Sequence, residues 1–157
     1  MKILFVSFND TKGFYAYVID FVNAASTALT KTFVLVGGRA ETEHFKENIA
    51  VFKMRYRGGG FFKKLFFLNP LFNFRLWTNL LREKPDAVHF LFNHRSNAIV
   101  VAMLKVVGLR PVVVLTVHSS EYVDSSAKRG RPMGGGSWLE RWTIWYADKI
   151  IFISDFL

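Results

Sequence analysis

Short, nearly continuous apolar runs alternate along this chain with segments of helical periodicity, and that alternation constrains the fold more than any other feature. Ile3–Ser7, Thr32–Val36, Val51–Tyr56, Ala87–Phe92, Pro111–Val117 and Lys149–Ile153 have strand length, and most carry apolar side chains on consecutive residues. Such strands are buried on both faces, the condition of a parallel sheet sandwiched between helices. Between the first two runs, Phe14, Tyr17, Val18, Phe21, Val22 and Ala25 fall on one helical stripe. Pro70–Arg82 is expected to be a second helix, stopped by Lys84-Pro85-Asp86 because the residue before a proline avoids the α region. Ser96 or Asn97 is expected to cap a third helix, Ala98–Val107, ended by Gly108. Ser137-Trp138-Leu139-Glu140 reads as a capping box that opens a fourth, reaching about Ala147. The expectation is an α/β domain with a Rossmann-like, doubly wound, mostly parallel sheet, occupying residues 1–157 as one unit.

Composition narrows the chemistry. The chain has no cysteine, which removes disulfides and thiolate metal sites. Of His44, His89, His94 and His118, only His89 and His94 have zinc-like spacing, and no partner ligands accompany them, so neither metal nor cofactor is expected. The first apolar run is too short for a signal peptide, and no stretch reaches the ~20 apolar residues that cross a bilayer. The net charge is +9, and Lys53 to Lys84 holds eight basic residues and one acid, which concentrates +7 of it there. That asymmetry points to an anionic partner.

In a parallel sheet of this kind, ligands sit beyond the carboxyl ends of the strands. Residues 7–13, 37–39, 93–96, 118–121 and 154–155 occupy those ends. Gly13 stands alone where a dinucleotide fingerprint needs three glycines, which excludes that motif and the P-loop. It either opens a phosphate approach to a helix N-terminus or simply makes a turn. His118 is expected just past Val112–Val117, where an imidazole either hydrogen-bonds a sugar hydroxyl or a substrate carbonyl, or is satisfied by backbone. His89 falls inside a strand and is expected in the core. Asn93, His94 and Arg95 leave the same strand and line either a cleft or a solvated loop. Ser119, Glu121 and Asp124 follow His118, with a carboxylate available as a base. Gly134-Gly135-Gly136 is either an anion nest or a mobile loop beside Lys128, Arg129 and Arg131.

Three segments together resemble the N-terminal domain of family 4 retaining glycosyltransferases. Lys84-Pro85-Asp86-Ala87-Val88-His89 is similar to that family's "(K)PD-x-V-H" lead into a strand, and Val113–His118 to its "V-V-x-T-x-H" strand. Trp138-Leu139-Glu140-Arg141, followed by Ala147-Asp148-Lys149-Ile150-Ile151-Phe152-Ile153-Ser154, resembles its "LE…AD-x-(I/V)-(I/V)-x-x-S" helix and strand. The resemblance implies the N-terminal half of a GT-B fold and sugar transfer with retention, without a metal, from a nucleotide- or lipid-phosphate donor, with a nucleotide sugar the expected one. It implies that His118 lies by the donor sugar, Gly13 near the donor phosphates and Ser154 at the interdomain cleft. It further implies a second domain that holds most of the donor, so this chain is expected to form an acceptor-side wall and to be inactive alone.

The basic segment is also rich in rings, including Phe61, Phe62, Phe66, Phe67, Phe72, Phe74 and Trp77. Cations interleaved with rings suit an anionic membrane surface, with Arg57, Phe61, Phe62, Lys63 and Lys64 facing it and a sugar or lipid-linked acceptor nearby. The alternative is that the rings are core. Localisation is then expected to be cytoplasmic and peripheral to the membrane. Rival readings are a basic–aromatic module for membrane or single-stranded nucleic acid, or a non-catalytic subunit of a split transferase. Phe and Leu dominate over the stacking pattern bases require, so no nucleic acid is expected.

Overall fold

The structure, a computed structural model, describes residues 1–8, 12–26, 31–36, 42–53, 74–118 and 138–153, without the side chains of 12–15 and 74–76. In chain order the elements are β1 (Lys2–Ser7), α1 (Lys12–Ala25), β2 (Lys31–Val36), β3 (Ile49–Lys53), α2 (Phe74–Glu83), β4 (Ala87–Phe90), α3 (Arg95–Val106), β5 (Val112–His118), α4 (Trp138–Tyr146) and β6 (Lys149–Ile153). The six strands form one sheet in the order β3-β2-β1-β4-β5-β6, and every adjacent pair is parallel. The α/β, Rossmann-like architecture expected from the apolar runs is therefore present.

Alternation along the strands sorts the core into two layers. Leu4, Val6, Phe33, Leu35, Val88, Phe90, Val113, Leu115 and Val117 join Trp77 and Leu80 of α2 and Ile99–Leu104 of α3 on one face. On the other, Phe5, Val34 and Val36 pack under Val18 and Val22 of α1, together with Leu91 and Phe92. The helix stripe that begins at Phe14 is thus the buried side of α1 from Tyr17 onward.

Boundaries differ from expectation where capping chemistry decided them. α3 starts at Arg95 with His94 as its N-cap, three residues before the expected start, because His94 Nδ1 accepts from the Ser96 N–H at 3.1 Å. Ser96 and Asn97 are consequently inside the first turn and buried. Gly108 ends α3 as expected, with φ +75, a conformation that an L side chain rarely adopts. α2 ends at Glu83 as the proline predicts, but Lys84 adopts φ +47 and not the extended backbone usual before proline. Its N–H reaches the Leu80 carbonyl at 2.8 Å, closing the helix as a glycine would. The third strand is Ile49–Lys53, and Met54–Tyr56 lie outside the described residues.

Candidate functional site

The strand order reverses direction between β1 and β4, with one half of the sheet built outward from each. The crevice at their carboxyl ends is therefore the topological switch point, the place where open parallel sheets bind ligands. β1 leads to the N-terminus of α1 and β4 to the N-terminus of α3, so two helix dipoles present their positive ends there. Gly13 falls within the first turn of α1.

His118 is the last residue of β5 and not the first beyond it, and it is only 5% exposed. Its ring stacks on Phe92 at 4.8 Å between centroids and 20° between planes. Tyr17 of α1 meets it edge-on at 5.4 Å and 89°. His89, one strand over, lies 5.5 Å from both the Phe5 and Phe21 rings. Tyr17 and Phe21 are four residues apart on α1, so successive turns of one helix cover two imidazoles. Thr116 Oγ1 lies 2.8 Å from His89 Nε2, two residues before His118 on the same strand face. Burial pushes the His89 pKa down to about 4, so this imidazole is neutral at physiological pH and is a core group, as expected.

Asn93 and His94 follow β4, and Arg95 opens α3. The His94 ring is 5.7 Å from Phe8 and its Nδ1 is engaged in the cap, so this histidine first organises the helix start. Arg95 Nε lies 3.4 Å from Glu140 Oε1, which ties the first turn of α3 to that of α4. Asn97 Nδ2 donates to the Phe92 carbonyl at 2.7 Å and fixes the turn that carries Asn93. Three oxygens here, Ser7 Oγ, Asn93 Oδ1 and Ser96 Oγ, are buried without a hydrogen-bond partner among the described residues. These oxygens make the strand and helix ends around the switch point polar.

Ser119, Glu121, Asp124, Ser154, the Gly134–Gly136 run with its basic neighbours, and Arg57, Phe61, Phe62, Lys63 and Lys64 all lie outside the described residues. Among the described residues, no group of three His, Asp or Glu side chains is arranged to hold a metal ion. The structure brings His118, Asn93, His94 and Arg95 to the carboxyl end of one sheet, with Gly13 in the helix turn above it. The ring contacts of Tyr17 and Phe92 escaped the sequence reading, which placed Ser7 and Ser96 at strand ends but gave neither oxygen a role in the site. The i, i+4 spacing of Tyr17 and Phe21 was visible, but it marks a core stripe equally well.

A family model described as Glycosyltransferase Family 4 matches residues 15–157. The chain belongs to that family. The match spans most of the chain, from within α1 through β2, β3 and everything after them, and so reaches well beyond the three motifs of residues 84–157. No curated protein matches the chain. Family membership makes this a glycosyltransferase-type domain, with a sugar donor and an acceptor as its general substrates.

Proposed function

We propose that this family 4 glycosyltransferase domain forms the acceptor-side wall of a retaining transferase that uses a nucleotide-sugar donor. The observation that carries the reading is His118, held between Phe92 and Tyr17 at the carboxyl end of β5 beside the β1/β4 switch point. A ring clamped on two sides presents its nitrogens in a fixed direction, which suits hydrogen bonding to a sugar hydroxyl more than acting as a mobile nucleophile. The N-terminus of α1 at Gly13 lies where a leaving phosphate would gain from backbone N–H groups and the helix dipole, the larger electrostatic contribution to transfer. Asn93, His94, Arg95, Ser119 and Glu121 would line the acceptor side, and Ser154 the donor side. Most donor contacts would come from a second Rossmann-like domain, without which the wall cannot pre-organise the reaction and has no appreciable activity.

The acceptor we favour is lipid-linked, at the cytoplasmic surface of a membrane. Support comes from the +7 charge and the many phenylalanines between Lys53 and Lys84. Among the described residues, no helix is long and apolar enough to cross a membrane.

Nuclear magnetic resonance tests the site directly. Nucleotide sugars and simple glycosides should shift the His118 ring signals and the amides of residues 13–17 and 93–97. Signals at the opposite end of the sheet, such as Lys2 and Lys31, should stay in place. Shifts confined to that opposite end would refute the assignment.

A further inference from the structure

The inner and outer stripes of α4 differ in a way that packing against the sheet does not require. Thr143 is fully buried, and Trp142 and Tyr146 pack against the core cluster. Trp138, Arg141 and Trp145 are spaced three and four residues apart and share the outer stripe. The two indoles are 73% and 85% exposed, and Arg141 is exposed. Two large rings left in water on one stripe mark a surface that something covers.

α3 lies beside α4. Lys105 Nζ sits 3.4 Å from the Tyr146 ring centroid, which sets the last turns of the two helices side by side. Val106 is 81% exposed there, and Lys105, Arg110 and Lys149 are exposed around it. Of the acids nearby, Glu140 faces Arg95, and Asp148 Oδ2 accepts from the Val113 N–H at 2.7 Å, a contact that does not cancel its charge; four basic residues against this one acid keep the face cationic. The surface therefore presents Lys105, Arg110, Arg141 and Lys149 among exposed tryptophan and valine.

We propose that this outer face of α3 and α4 docks on an anionic lipid bilayer, with Trp138 and Trp145 at the boundary between headgroups and acyl chains. Tryptophan suits that boundary because its ring is apolar and its N–H is polar, while lysine and arginine bury their stems and keep their charges on the headgroups. A second copy of the chain is a poor occupant, since two such faces would bring like charges together. The Arg95–Glu140 pair joins the first turns of α3 and α4, so the lipid-facing layer extends to the rim where Asn93, His94 and Arg95 lie. A lipid-borne acceptor could then enter the cleft from the side. The inference rests on the membrane part of the proposed function and adds a surface separate from the basic segment.

The test uses the whole chain with vesicles of phosphatidylcholine, alone or with phosphatidylglycerol, and with brominated acyl chains as quenchers. Co-sedimentation should require the anionic lipid, and brominated chains should quench the exposed tryptophans while Trp77, 3% exposed, keeps its emission. Trp138→Ser combined with Trp145→Ser should weaken vesicle binding on the order of tenfold or more, with circular dichroism and unfolding midpoint unchanged. Arg141→Glu should weaken it about fivefold or more, and this keeps the test alive if the double variant does not fold. Wild-type affinity in both variants would exclude this face and leave the membrane reading standing. No binding to any vesicle would remove both. Self-association of the wild type that the tryptophan variant abolishes would replace the bilayer with a protein contact.

Discussion

His89 offers a quantitative check on the packing of the histidine layer, because its neutrality depends on Phe5, Phe21 and Thr116 surrounding it in the folded state alone. Its folded pKa is about 4, against the ordinary imidazole value of about 6.5 in the unfolded chain. The folded pKa is depressed, so the unfolded chain binds the proton first as pH falls. The stability contribution is complete above about pH 7.5 and declines through the window between about 6.5 and 4. Full protonation would cost about 3 kcal/mol, and the loss between pH 7.5 and pH 5 is about 2 kcal/mol, at up to 1.4 kcal/mol per pH unit. Denaturant unfolding of the wild type and of His89→Gln across that range isolates the effect, because other titrating groups cancel in the difference. Glutamine keeps a polar partner for Thr116 and cannot take up the proton. The wild type should lose about 2 kcal/mol more than His89→Gln on going from pH 7.5 to pH 5. Parallel pH profiles would show that His89 is not buried in the folded protein, and the layer described here would be wrong.

Four further outcomes follow from single contacts. Asn97→Ala removes the donor to the Phe92 carbonyl and should destabilise by about 1–3 kcal/mol in denaturant titration. Leu80→Ala empties a site in the larger core and should cost about 2–5 kcal/mol in the same assay. Glu140→Gln loosens a partly exposed ion pair and should change stability by less than about 1 kcal/mol. Lys84→Gly relieves a left-handed backbone and should leave stability unchanged or raise it by up to about 1 kcal/mol, whereas a clear loss would assign Lys84 a side-chain role.

The layered α/β architecture was readable because parallel strands need apolar residues on both faces, and Val112–Val117 or Val88–Phe90 cannot satisfy that pattern in any half-solvated sheet. The strand order was not readable, since β4 beside β1 depends on packing between segments more than eighty residues apart. The start of α3 departed from expectation for a physical reason. Serine and asparagine are the ordinary caps, but here His94 supplies the acceptor and Ser96 and Asn97 are drawn inside. His118 was recognisable as a strand-end imidazole, yet its clamp was not, because Phe92 and Tyr17 reach it from a different strand and a helix. The basic aromatic segment was the most conspicuous sequence feature, and its ring-rich part, residues 54–73, lies outside the described residues.

The central claim is that His118 borders the position of the transferring sugar. Its most direct measurement is transfer of radiolabelled sugar from a panel of nucleotide sugars to membrane lipid, by membranes from cells expressing the gene that encodes this domain. His118→Ala should lower transfer by about 100-fold or more while leaving vesicle binding at the wild-type value and the protein folded by circular dichroism, with a lowered unfolding midpoint because the ring is buried. Undiminished transfer by His118→Ala would contradict the account.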